Sequence, residues 1–318
     1  MPELSYYEKI VKAELLRKER EYERRIAGVW RDSLNNMRVE MAKIYDKYAV
    51  DGVLTRAQMT QYNRYTSMER QLMDTMAPAI TKTKGQLARM RPEQYNAAFF
   101  RSAWAMDSAA EVRVAWGVLN PDVVLESLAS EYVKISLERY GPEARVIVRS
   151  ALNDGLSIGK SYPKMMKDLK KALNTTNYKA MRILRTEGQT AVNAGTDDAY
   201  NRAAQAGVEG WTVWSSTLDL ATRDTHQAMD QQVRKEDGFF NGPGGFRAPY
   251  PVWEGLSAAE RIHCRCNIRY EIGGYGPQIR RSREQGLVAP QPYSEWEKGL
   301  NARGKSTSGK VKEAIKKI

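Results

Sequence analysis

Residues 5–48 contain no proline and one glycine, Gly28. A run this long without a breaker reads as a single helix. Within it Trp30, Leu34, Met37, Met41, Ile44 and Tyr48 recur at alternating steps of four and three. That is the period of a coiled-coil-like seam, so the helix needs another helix beside it. Residues 12–25, KAELLRKEREYERR, are nearly all charged and give no seam. That half is either a solvated rod or a face for a partner. Asp51-Gly52 makes a turn, and Thr55 with Gln58 reads as a capping box opening a second helix. This helix carries Met59, Tyr62, Tyr65, Leu72 and Met76, and Pro78 ends or kinks it. The two predict an antiparallel hairpin whose Met/Tyr stripe is its seam rather than a cofactor box.

Further on, Pro92 fits a helix start, and Asn120-Pro121 is a capping side chain followed by proline at the first turn. Gly141-Pro142 punctuates, and Asn153-Asp154-Gly155 is expected to stop the helix after it. Ser161 begins a short amphipathic helix, and residues 177–206 form a second long one ended by Gly207. Gly188 and Gly195 each cost that helix about 1 kcal/mol against alanine, which implies close packing there. Then the period changes. Residues 210–216 and 264–272 alternate like strands. Between them lie a turn and short helix, a Gly/Pro/aromatic loop at 233–253, and a helical turn capped by Ser257 and Glu260. The expected fold is α+β and mostly helical. A helical arm or hairpin spans 1–120, a small α+β domain with a helical lead-in spans 121–272, and a basic, largely disordered tail spans 273–318.

Net charge is +12, divided as +5 over residues 1–120, +1 over 121–272 and +6 over 273–318. Basic ends point either to a polyanion, nucleic acid ahead of acidic protein or membrane, or to a soluble surface with a lysine-rich tail, and charge alone does not choose between them. Arg280, Arg281, Arg283, Lys310, Lys312, Lys316 and Lys317 are the candidate DNA contacts. The only two cysteines form a C-x-C pair, which excludes a disulfide framework and suits free thiols or a metal. No apolar run approaches a membrane span, and the N-terminus has no basic-then-apolar signal pattern.

Residues 211–272 hold both histidines, both cysteines and Trp211, Trp214, Tyr250 and Trp253. In a strand, Cys264 and Cys266 would share one face and His263 would take the other. His226 is therefore the better third ligand for a zinc ion, with Asp230, Asp219 or water as fourth. The competing reading is two buried core thiols and a hydrogen-bonded histidine. Arg185, Glu187, Arg223 and Asp224 form a candidate polar cluster, either a salt-bridge network tying the long helix to the strands or, with His226, the kit of a nuclease or transferase. The structural reading is preferred.

The ordered series Arg185-Thr186-Glu187, an Ala-rich helix, Trp211 with Trp214, Asp219, Thr222-Arg223, His226, Met229-Asp230, an aromatic loop with proline, and His263-Cys264-Arg265-Cys266 resembles the phage Mu F-like family of minor head, or head morphogenesis, proteins. The resemblance covers about residues 145–272. Gln231 and His263 depart from the family's usual Gly and Asn. The resemblance implies a component of the phage head interior that meets portal, major capsid or scaffold protein and double-stranded phage DNA, and that in some phages leaves with the genome. It implies no membrane partner, a site of action in the virion and, during assembly, the bacterial host cytoplasm. It implies no catalytic residues, and the chain is expected not to be an enzyme. The alternative is a metal-assisted nuclease or transferase using His226, Arg223, Asp224 and Arg185.

Overall fold

The computed structural model describes residues 4–110, 114, 116, 131–272, 280–288, 295 and 298. Four long helices dominate: α1 (Leu4–Tyr48), α3 (Arg64–Ala110), α4 (Glu131–Ile158) and α5 (Tyr162–Gln205), with the short α2 (Arg56–Thr60) between the first two. Around and after them come β1 (Gly210–Ser215), α6 (Asp224–Met229), β2 (Phe240–Asn241), β3 (Arg247–Ala248), α7 (Ala258–Arg261), β4 (Asn267–Ile272), β5 (Arg280–Ser282) and β6 (Gly286–Val288). The chain is a mostly helical α+β protein.

The chain divides into two compact units, each made of segments that are separate in sequence. One combines residues 16–94 and 120–188, and the other combines 1–15, 95–119 and 189–318. Three helices cross from one set of segments to the other, and local periodicity cannot report that.

In the first unit, Trp30, Met37, Met41 and Ile44 of the α1 seam are buried together with Met59, Leu72 and Met76. Residues 12–25 do contribute buried side chains: Leu15 to the second unit, Tyr22 to the first. Asp51 and Gly52 both have positive φ, and Val50 and Val53 exchange two 3.0 Å backbone hydrogen bonds across them, a primed two-residue turn. The Thr55–Gln58 capping box is formed. Tyr62 leaves the stripe: its φ is +52 and it is 88% exposed, because the chain kinks between α2 and α3.

Several expected breaks are absent. Pro78 and Pro92 lie inside α3, Pro142 lies inside α4, and the two helices expected at 161–173 and 177–206 are one, α5. A proline in a helix interior costs about 3 kcal/mol. The buried run Met76, Ala79, Ile80, Leu87 and Met90 around Pro78 outweighs it. α4 passes Gly155 and ends at Gly159, whose φ is +70. There Lys160 N–H donates to Gly155 O (2.9 Å) and Gly159 N–H to Leu156 O (3.3 Å), a Schellman end. Gly207 closes α5 the same way, as expected. The helix start expected at Asn120-Pro121 lies outside the described residues.

In the second unit, β1 and β4 pair antiparallel with Trp214 opposite Ile268, and residues 231–234 run along the other edge of β1 through bonds such as Arg234 N–H to Thr212 O (2.8 Å). Both edges of β1 are therefore paired, and Thr212, Val213 and Trp214 are all buried. The stretch expected to be a disordered tail contains the β5–β6 hairpin. Ser282 is buried, its hydroxyl accepts from the amides of Glu284 and Gln285 (both 3.1 Å), and Arg283 N–H donates to Leu218 O (3.2 Å). Those bonds give a basic, polar segment a reason to order.

Candidate metal centre

α6 is only six residues long. Asp224 in its first turn favours the exposed N–H groups there. Asp230, just past its end, accepts the amide of Ser216 at 2.8 Å and ties the helix to β1. The helix carries His226, which is 1% exposed. The edges of Trp214 and Phe246 flank its ring at 5.8 and 5.7 Å between centroids.

Cys264 and Cys266 lie ahead of β4, not within the strand as expected. The geometry still brings them together. Cys264 N–H donates to Arg261 O at 3.1 Å, and His263 takes the left-handed conformation with φ +61, so the chain bends through Cys264 before entering the strand. Both sulfurs stand 3.4 Å from His226 Nδ1. The three donor atoms lie within 4.8 Å of one another, and among the described residues they form the one such group of His, Cys, Asp and Glu. His263 is not in it.

The other ring nitrogen, Nε2, stands 2.8 Å from Glu260 Oε2. Thr225 Oγ1 donates to the same carboxylate oxygen at 3.0 Å. Nε2 and Glu260 Oε2 are close, but their alignment does not make a hydrogen bond, and a proton on Nε2 would leave the Nδ1 lone pair for the sulfurs. The sequence assigned Glu260 to a helix cap beside Ser257. In the structure Ser257 makes no side-chain cap bond, and the Glu260 carboxylate turns to His226 instead.

The two thiols are pushed in opposite directions. Cys264 is pushed well up, first by its hydrogen bond to Cys266 and then by burial. Cys266 is held well down, first by that same bond, with burial opposing and His226 assisting.

Asp219 and Asp230, expected as possible fourth donors, are engaged elsewhere. Asp219 receives two contacts from Arg265, one at 2.8 Å, and bonds from Ala221 N–H and Thr222 Oγ1. Burial opposes its ionisation, but Arg265 and these donors bring it below the usual carboxylate range.

The cysteine segment rests on polar side chains that the sequence did not single out. Gln189 Nε2 and Asn193 Nδ2 of α5 donate to Cys266 O at 3.1 and 3.3 Å. Asn193 also donates to Pro251 O (3.0 Å), and Thr190 Oγ1 to Val252 O (3.1 Å). Arg261, 2% exposed, donates to Val252 O at 3.3 Å. The available signal was three polar residues on one face of an otherwise Ala-rich stretch.

The expected cluster of Arg185, Glu187, Arg223 and Asp224 resolves into separate pairings. Arg185 Nε lies 2.5 Å from Glu23, and Glu187 lies 3.4 Å from Arg91. Arg223 donates to the carbonyls of Glu260 and Ile262, and Asp224 opens α6. Arg185, Glu187 and Arg223 each meet a different distant segment, so they share no common network. Of the candidate DNA contacts, Arg280 and Arg281 lie on β5 and Arg283 is exposed in the turn after it, while Lys310, Lys312, Lys316 and Lys317 lie outside the described residues.

Residues 146–269 match the family described as phage Mu protein F like protein. The chain is 27% identical over 292 residues to the minor head protein GP7 of Bacillus phage SPP1, covering 88% of this chain and 93% of that one. It is 23% identical over 303 residues to a protein of Enterococcus faecalis named NAD(+)--arginine ADP-ribosyltransferase EFV, covering 93% of this chain but 61% of that one. No solved structure matches. The second relative overturns the expectation that the chain is not an enzyme, because nearly all of it aligns with a protein carrying an enzyme's name.

Proposed function

With residues 146–269 belonging to the phage Mu F-like family, we propose that this chain is a minor head protein that acts in phage head morphogenesis. The alignment that runs nearly end to end with the SPP1 minor head protein carries this reading. In finer detail, the protein works in the head interior. It docks on the portal or on major capsid or scaffold protein, touches packaged double-stranded DNA, and leaves with it on ejection. It assembles in the host cytoplasm.

Two features support these contacts. Tyr6, Phe100 and Trp104 of the second unit are 53%, 46% and 45% exposed. Aromatic side chains at such exposure are the usual anchors of a protein interface. The ten Lys and Arg of residues 273–318, against four acidic residues, suit a phosphate backbone. Among the described residues no helix is long and apolar enough to cross a membrane.

Co-expression with portal, scaffold and major capsid proteins tests the reading. The chain is expected in purified procapsids, and Trp104→Ala is expected to lower its copy number. A chain that never enters procapsids sinks it. Removal of residues 280–318 is expected to abolish most DNA affinity and flatten its salt dependence.

A second reading, transfer of ADP-ribose from NAD to arginine, rests on the Enterococcus faecalis relative. About two fifths of that relative's length lies outside the match. Incubating the purified chain with labelled NAD and an arginine-rich acceptor decides it by label transfer.

A further inference from the structure

We propose that His226, Cys264 and Cys266 bind one zinc ion, through Nδ1 and the two sulfurs, with water as the fourth donor. The inference is independent of the head-protein reading. It rests on the side chains of the second unit alone.

Distances come first. A tetrahedral zinc with Zn–S of about 2.3 Å and Zn–N of about 2.0–2.1 Å places its nitrogen and sulfur ligands about 3.5–3.6 Å apart. Both observed separations are 3.4 Å. A thiol–imidazole hydrogen bond also has this length, so it is the convergence of two sulfurs on one nitrogen that points to a metal.

The surroundings agree. Glu260, steadied by Thr225, stands 2.8 Å from Nε2, the position from which a carboxylate can back a ligand histidine. Gln189 and Asn193 hold the carbonyl of Cys266, and Arg265 is held by Asp219, so the C-R-C backbone cannot turn its sulfurs away without breaking these bonds. Cys266 and His226 are 2% and 1% exposed, which shields the thiolates from oxidants. Asp219 and Asp230 are already committed to Arg265 and to Ser216, which leaves the fourth corner to water.

The step balances simply. Two Zn–S bonds and one Zn–N bond form as waters leave the hydrated ion, one water stays on the metal, and both sulfurs bind as thiolates, their protons going to solvent. The bound ion staples α6 to the approach of β4. The His226 nitrogen comes from one segment and the sulfurs from another, 38 and 40 residues on.

The test uses the full chain, purified reduced and then supplied with zinc or cobalt. The expected result is one zinc per chain, an absorption edge spectrum showing two sulfur and two lighter donors, and a thiolate-to-cobalt charge-transfer band. Cys264→Ser is expected to lose the metal. Should that variant not fold, Glu260→Gln serves instead: it keeps the ligands and is expected to weaken zinc affinity about 10–100-fold. Folded, reduced wild-type chain that takes up no zinc overturns the proposal. So does zinc content that is the same in Cys264→Ser as in wild type, or cobalt spectra without a sulfur signature.

Discussion

Met41, Leu72 and Met76 in one unit and Thr190 and Asn193 in the other are buried, with Gln189 half-buried beside them, but their surroundings differ. The first set sits among methionine, leucine, isoleucine and tyrosine side chains, where any well-fitting apolar group makes the same contacts. The second set meets main-chain carbonyls of loops: Pro251, Val252 and Cys266. Apolar packing depends on volume and tolerates exchange. A buried donor facing one carbonyl does not, because losing it leaves that carbonyl unpaired. The helical unit is therefore expected to tolerate sequence change that keeps volume. The strand-bearing unit should demand particular residues even away from any metal.

The largest effect is expected from Leu72→Ala, which removes a fully buried side chain. A loss of about 2–5 kcal/mol in unfolding free energy is expected, against under about 1.5 kcal/mol for Met41→Leu. Denaturant unfolding, with hydrogen exchange to localise the change to residues 16–94 and 120–188, reads both. Equal losses from the two variants would break the packing half of the comparison.

Next comes Gly195→Ala in the other unit. A Cβ there would land on the Tyr95 carbonyl oxygen and within 3.1 Å of its carbon and 3.2 Å of Phe99 N. Backbone cannot step aside as a side-chain tip can, so a cost of about 1–3 kcal/mol is expected. Asn193→Ala is expected to cost a similar or smaller amount, about 1–3 kcal/mol, by taking the side-chain donor from Pro251 O, while Cys266 O keeps its bond from Gln189. Increased exchange in residues 250–266 is its signature. An effect spread evenly over the chain would argue against the loop-clamping role.

The sequence made the apolar unit easier to read than the polar one. The α1 seam, the Asp51-Gly52 turn and the Thr55 cap are local patterns, and they stand where periodicity puts them. Helix breaks were overread, since Pro78, Pro92 and Gly141-Pro142 sit in helices whose packing outweighs the local penalty. Val11, Leu15, Tyr22 and Ile26 were hidden by the charges between them. The interleaving of the two units depends on which distant segments pack together, which no window of sequence contains. At the site, His226, Cys264 and Cys266 stood out by scarcity. Glu260, Gln189 and Asn193 belong to common residue types, and their roles follow only from where the loop carbonyls and the imidazole end up.

A pH test sharpens the same contrast. Burial pushes Glu8 up from 4.5 to about 7, against the lowering pull of the Tyr200 hydroxyl and Arg269. The folded state thus holds this proton more tightly than the unfolded chain. Its contribution to stability is complete below about pH 4.5 and is lost as pH rises through about 7. Glu8→Gln keeps the hydrogen bonding and removes the titration. The variant is expected to gain on wild type between pH 5 and 8, by on the order of 1–2 kcal/mol. A difference between the two that does not change over that range would count against a buried Glu8.

The smallest effect separates the units most cleanly, because it concerns the same residue type on the same helix. Gly188 and Gly195 lie seven residues apart in α5, one in each unit. At Gly188 a Cβ would meet only the Met90 side chain, at 3.4 Å from its sulfur. Methionine has three rotatable bonds and yields readily. The backbone entropy that glycine gives up on folding is then recovered, so Gly188→Ala is expected to stabilise by up to about 1 kcal/mol. Gly195→Ala, with backbone in its way, has the opposite sign. Thermal unfolding of the two single variants reads this directly. If both stabilise, the close approach of α3 to α5 at Tyr95 is looser than drawn. If both destabilise, the Met90 environment is as rigid as backbone, and the helical unit loses its claim to be the tolerant one.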